Sequence, residues 1–261
     1  MPRMAPQSGI ALGLDHIGIV GADLDALAEA FTRAGFALTA QAAHASGRTG
    51  NRCAMLRDGG YLELIAKLPG QSSATIDGFL AKGEGAHIIA LEVGDEIAAR
   101  DRLRRTLKSN AIDISITERP VPPSGAQVRF ALIQPPEPPE GRLLLIHHRN
   151  RDLLWRPECV VHPNRAETLI EAVYAVSHPA DMMAYLSRVT GRPAEPDPLG
   201  GFSVPLERGC IRVLPKSAAY ALFPRTVDGP ALIGLTVVAE TAATRVVHAG
   251  GVVIHLVPAS G

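Results

Sequence analysis

Four side chains in the first half of the chain have the types and the spacing for metal chemistry. They are His16 in "LDHIGIV", Glu63 in "YLELI", His87 in "AHIIALEVGD" and His147 in "LLIHH". Imidazole nitrogens and carboxylate oxygens are the donors that divalent zinc, iron, manganese or nickel take from proteins. Three or four such donors leave coordination positions open on the ion. A substrate with two adjacent oxygens can then chelate it, and the ion acts as a Lewis acid on an enediolate-type anion. Glu63, displaced from such an ion, can move a proton and is the candidate catalytic residue. His16, His87 and Glu63 also make up the 2-His-1-carboxylate set of non-haem iron oxygenases. Taken singly, each histidine reads as a core residue with a hydrogen-bond partner, because an unpaired polar group in an apolar setting costs roughly 1–3 kcal/mol.

Further polar residues surround this set in sequence. His44, Arg48 and Asn51 lie in the turn "HASGRTGN". They are candidate substrate-binding residues, with Arg48 offering a bidentate fork to a carboxylate; the competing reading is a solvated loop. His148 follows His147, and Trp155 in "DLLWRPE" either seals the site or anchors a linker.

The elements that must position these residues follow a repeated order. "LDHIGIV" reads as a strand, "DLDALAEAFTRAG" as a helix with apolar residues at helical spacing, and "FALTAQ", "NRCAMLRDG" and "GYLELIAKL" as strands. The same β-α-β-β-β order recurs from "AHIIALEVGD" and from "ETLIEAVYAVS", and a shortened fourth copy begins at "ALIGLTVVAE", with "TAATRVVHAG" as a brief helical segment. The spacing predicts an α+β fold of tandem βαβββ modules forming two curved-sheet cups. Residues 10–150 make an N-terminal pair with the candidate active cup, 151–165 a linker, and 166–261 a degenerate C-terminal pair.

Strand residues alternate faces, so equivalent positions of paired copies face one cup. Matching the first strands equates His16, His87, Ala172 and Leu232. Matching the last strands equates Glu63, His147, Arg212 and His255. Only the N-terminal cup then offers a four-donor set. A slip of one residue swaps faces and puts His148 in place of His147.

Composition narrows the classes. Lys+Arg and Asp+Glu are both 26 in 261 residues, which lacks the basic footprint of nucleic-acid or anionic-membrane binding. The three cysteines, Cys53, Cys159 and Cys210, form no CxxC spacing and suggest neither a disulfide framework nor a thiolate zinc site. No apolar run reaches the ~18 residues of a membrane span, and no signal-type segment opens the chain. The expectation is a cytoplasmic protein with a small-molecule substrate, no nucleic-acid or membrane partner, and either a monomeric or a homodimeric state.

The repeated βαβββ order with "LDHIGIV" and "GGYLELI" resembles the vicinal oxygen chelate superfamily of glyoxalase I, methylmalonyl-CoA epimerase, extradiol dioxygenases and bleomycin-resistance proteins. More narrowly, "GRTGNRCAML", "GYLELIA" and "LIHHRNRDLLWRPECVVHPNRA" are similar to its glyoxalase-like domain proteins. The resemblance implies a glyoxalase/dioxygenase-like fold, with metal ligands on the first and last strands of two paired modules. By position these are again His16, Glu63, His87 and His147, although superfamily enzymes usually carry Glu or Gln where His147 stands. It implies a divalent-metal-dependent lyase or isomerase acting on a small oxygenated metabolite. The alternatives are a metal-free sequestering protein of the bleomycin-resistance type and an extradiol-type dioxygenase.

Overall fold

The computed structural model describes residues 9–138, 140–225 and 229–259. The N-terminal half opens with strand β1 (Gly13–Val20), helix α1 (Leu24–Arg33), β2 (Ala42–Ala43), β3 (Thr49–Met55), β4 (Tyr61–Lys67) and a short helix α2 (Ala74–Leu80). It continues with β5 (Gly85–Glu92), α3 (Glu96–Leu107), β6 (Ile114–Val121), β7 (Ala126–Ile133) and β8 (Arg142–His148). The C-terminal half has β9 (Ala166–Val176), α4 (Pro179–Thr190), β10 (Glu195–Pro196), β11 (Phe202–Pro205), β12 (Cys210–Pro215) and α5 (Lys216–Leu222). It ends with β13 (Leu232–Ala239), β14 (Arg245–Ala249) and β15 (Val252–Val257). The result is a sheet-rich α+β fold.

Helix α1 shows how local sequence sets these elements. The Asp23 side chain caps it by accepting from the Ala26 N–H, and Leu24, Leu27, Ala28 and Phe31 form its buried face. They pack with Ile17, Ile19, Leu62 and Leu64, from the outer faces of β1 and β4, in the main core. Two short helices, α2 and α5, follow β4 and β12 and were not signalled by the periodicity. "TAATRVVHAG" is not helical: Arg245–Ala249 is strand β14 on β15, so His248 lies on a strand.

In the N-terminal half the strand order is β2-β3-β4-β1-β5, continued by β8, β7 and β6. β1 and β5 run antiparallel at the centre, each with its module's last strand parallel beside it. The C-terminal half repeats this with β9 and β13 central, and the halves join where β13 pairs with β5 at Leu232 and Ala86.

The register between β1 and β5 positions the site. Leu14 pairs with Leu91, His16 with Ala90, Ile17 with Ile89, Gly18 with Ile88, and Ile19 with Ala86. Asp15 and His87 are therefore each an extra, bulged residue. A bulge lets two successive residues face one side, so Asp15 and His16 both point inward while Leu14 and Ile17 pack in the outer core. Gly18 leaves room on the inner face, because a Cβ there would meet the Ile88 Cβ at 2.8 Å.

Candidate functional site

The concave face of the N-terminal half encloses a cavity of about 300 Å³. Its polar end carries His16, His44, Tyr61, Glu63 and Arg119, and its walls are Ile65, Ile76, Phe79, Ile88, Leu132 and Leu144. Glu63 sits two residues into β4, opposite Gly18, and its carboxylate faces His16. Oε1 accepts from Asn51 Nδ2 at 2.5 Å and lies 3.2 Å from His44 Nε2. Oε2 lies 3.5 Å from His16 Nε2 and is the less engaged oxygen. Asn51 is buried on β3, and His44 is held by Thr49 at 2.8 Å.

Behind His16 stands the bulged Asp15. Its Oδ1 accepts from His16 Nδ1 at 2.7 Å, and both its oxygens lie within 3.1 Å of His148 Nε2. His148 in turn packs edge-on against Phe130, Tyr61 and Trp155. Trp155 donates its Nε1–H to the Leu56 carbonyl at 3.1 Å and carries Arg151 on its ring face. It anchors the chain after β8 and does not line the cavity.

Charge in this array is set by pairing. Burial acts to raise the Asp15 pKa, but the His148 and His16 contacts outweigh it and hold the carboxyl far below its usual range. Burial likewise opposes ionisation of Glu63, yet its bonds and charges from His44, His16 and Asn51 bring it down to about 2. His16 is pushed upward: burial acts against its protonation, and Asp15 and Glu63 together overcome that. Both carboxylates favour the protonated form of His16, which stands between them.

These directions fix the pH response of stability. A carboxylate whose pKa is lowered on folding stabilises above its ordinary value and loses that stabilisation as pH falls towards the folded value. For Glu63 the window runs from its ordinary 4.5 down to about 2. The raised His16 contributes fully below 6.5 and less as pH rises through its folded value. Melting temperature followed against pH is expected to fall on both sides of a maximum near pH 5–6. Glu63→Gln should flatten the acid limb, and an unchanged acid limb in that variant would contradict the assignment.

The other sequence candidates lie elsewhere. His87, the bulged residue of β5, is stacked on Phe79 and bonds the Gly83 carbonyl at 2.8 Å. It lines a second cavity, with Lys82, Ser177 and Lys216. Burial lowers its pKa against the Gly83 bond. His147 faces away from the cup, 3.5 Å from Glu96 on α3. Arg48 is exposed and is not part of the cavity lining.

The bulges explain this. Between them β1 and β5 are related about the Ile17–Ile89 pair, so His16 is matched by Ile88 rather than His87, which matches Asp15. Glu63 pairs with Gly18, and its counterpart beside Ala90 is Leu144 rather than His147. In the C-terminal half the same rule gives Glu171 and Gly234 in place of Ala172 and Leu232, while Arg212 and His255 hold their places. Glu171 there bonds Thr236 and Arg212, and Arg212 is clamped by Asp197.

A four-ligand metal centre on the superfamily's pattern needs a donor from each of two paired modules. Ile88 and Leu144 supply none, and His16 Nδ1 and Glu63 Oε1 are already engaged within the protein. Among the described residues no group of three or more His, Cys, Asp or Glu side chains is placed to hold a metal ion. The residues present do not fit that centre, nor do they assemble His16, His87 and Glu63 into an iron triad. Arg119 lies within β6, and no sequence pattern singles it out.

Comparison with known proteins agrees with the fold. No curated protein matches the chain. A hypothetical protein from Staphylococcus aureus superimposes with a TM-score of 0.71 at 12% identity, covering 95% of this chain and 99% of its own. A mutant of 4-hydroxymandelate synthase from Streptomyces coelicolor gives 0.59 at 13% identity, covering 88% of this chain and 72% of its own. The Mn(II)-bound glyoxalase from Novosphingobium aromaticivorans gives 0.54 at 14% identity, covering 96% and 83%. No helix among the described residues is long and apolar enough to cross a membrane. The family model of the glyoxalase-like domain matches residues 14–190, more than half of the sequence. On that match the chain belongs to the glyoxalase-like domain family of the vicinal oxygen chelate superfamily.

Proposed function

We propose that the N-terminal cup binds a small oxygenated molecule and moves a proton on it, as an isomerase or lyase, with His16 as acid and Glu63 as base. One observation carries this reading: His16 and Glu63 meet at the polar end of the cavity with their pKa values pushed in opposite directions. A buried ion pair shifts both partners in this way; the opening of this pair onto the cavity is what suits it to acid–base work.

The geometry divides the work. Asp15 takes the Nδ1–H of His16, so Nε2–H points at the ligand. A carbonyl oxygen accepting that hydrogen bond gains negative charge as the adjacent carbon loses its proton, and the imidazolium stabilises it. Asn51 and His44 occupy Glu63 Oε1 and leave Oε2 to receive the proton. A carboxylate held near 2 is a weak base at rest. As His16 gives up its proton, one of the charges holding Glu63 down disappears, and the two transfers reinforce each other.

The test is hydrogen exchange in D₂O, followed by NMR over a panel of small ketones and keto acids. Loss of the C–H signal beside the carbonyl is expected with the wild type. Glu63→Gln is expected to slow it by roughly 10²–10⁴-fold, the usual contribution of a general base, with ligand binding retained. Binding without exchange would instead support sequestration, the reading favoured by the aliphatic pair Ile88 and Leu144 on the facing module.

A further inference from the structure

We infer that the ligand of this cup is an organic monoanion, a single carboxylate on an apolar body, and that Arg119 on β6 binds the carboxylate. The inference deepens the reading above and rests on it for the cavity being the working site.

Arg119 is 8% exposed and lines the cavity. Its guanidinium lies over the Phe130 ring at 5.7 Å. Among the described residues, no side-chain or backbone acceptor hydrogen-bonds it and no carboxylate pairs with it. A buried guanidinium without an acceptor is costly, and the fork geometry of arginine suits the two oxygens of a carboxylate. The other cations at the cavity already have carboxylate partners. Arg142, at the rim, bonds Glu137 at 2.7 Å, and His16 stands between Asp15 and Glu63. Arg119 is the cavity cation whose donors have no acceptor among the described residues, and a carboxylate supplies two. A phosphate, with about −1.5 to −2, would set surplus charge against Glu63. Arg119 is also near enough to His16 to oppose its protonation, so a carboxylate bound at Arg119 lies beside the acid–base pair.

The rest of the ligand follows from the walls. Ile65, Ile76, Phe79, Ile88, Leu132 and Leu144 offer no hydrogen-bonding side chain, so the part of the body facing them is hydrocarbon, while Ser73, Thr75 and Thr117 add hydroxyls elsewhere in the lining. At the roughly 30 Å³ that a water-sized group occupies in a liquid, the cavity holds on the order of ten non-hydrogen atoms.

Isothermal titration calorimetry with 3-phenylpropanoate, hexanoate, 3-phenylpropanamide and benzyl phosphate tests this. The wild type is expected to bind the better carboxylate at least ~10-fold more tightly than the amide, the scale of a charged hydrogen bond. Arg119→Met should abolish that preference, and Arg142→Met should keep it. Equal binding of amide and carboxylate, a preference that survives Arg119→Met, or no carboxylate binding at millimolar concentration would each overturn the inference. Tighter binding of benzyl phosphate would overturn the single-charge assignment. If Arg119→Met does not fold, the wild-type carboxylate-to-amide ratio decides alone. Carboxylate preference without hydrogen exchange would sustain Arg119 and remove the proton-transfer reading; exchange on neutral ketones without carboxylate preference would do the reverse.

Discussion

Asp15→Ala is expected to destabilise the protein by about 3–5 kcal/mol, the cost of breaking a buried charge network from one side. Asp15 is fully buried at the β1 bulge, bonded to His16 and His148, with Arg151 at 3.8 Å. Alanine leaves both imidazoles without their acceptor in an apolar shell of Tyr61, Phe130 and Trp155. The variant should also lose the raised pKa of His16, since the Asp15 hydrogen bond is the largest influence favouring its protonated form. Asp15→Asn keeps one acceptor and should cost less than alanine. Urea unfolding at pH 6 gives the ordering wild type, Asn, Ala. An alanine variant with the wild-type midpoint would show that the network contributes nothing to stability.

The second large effect is a gain. Ile88 and Leu144 stand where His16 and Glu63 stand on the other module, and all four line one cavity. Ile88→His with Leu144→Glu should therefore complete a four-donor set. Without metal the double variant is expected to melt below the wild type, because it buries two polar groups. With Zn(II) or Ni(II) at about 100 times the dissociation constant, binding adds about 2.7 kcal/mol. That corresponds to a rise of roughly 5–10 °C for a chain of this size. Thermal melts with and without metal check it, and the wild type should respond much less. A double variant as indifferent to metal as the wild type would show that the two modules are not matched in this register.

Much of the architecture was legible in the sequence. "LDHIGIV" is β1, "DLDALAEAFTRAG" contains α1, and the recurring order of strand, helix and strands is present. His16, Glu63, His44 and Asn51 come together because turn and strand periodicity place them on the inner face of one module. The partner module was misread for a physical reason. A one-residue bulge in each of β1 and β5 changes which residue faces inward, and no residue type announces a bulge. Matching the first strands equates His87 with His16; in the structure its counterpart is the carboxylate Asp15, a residue that a strand pattern passes over. The match of "LLIHH" to "YLELI" equates His147 with Glu63, whereas the pairing of β8 with β5 sets Leu144 at that position. Arg119 gave no signal, since its lack of an acceptor is a property of the packed state alone.

The inequality of the two modules has a stereochemical consequence. A cup with identical halves would accept a ligand in either of two orientations related by the local twofold between β1 and β5. Here the donors stand on one side and hydrocarbon on the other, so the twofold is broken at the ligand and one orientation remains. A trigonal carbon held that way shows only one of its faces to Glu63. In the proposed proton transfer, the single carboxylate Glu63 serves one face only, which fixes the handedness of any product.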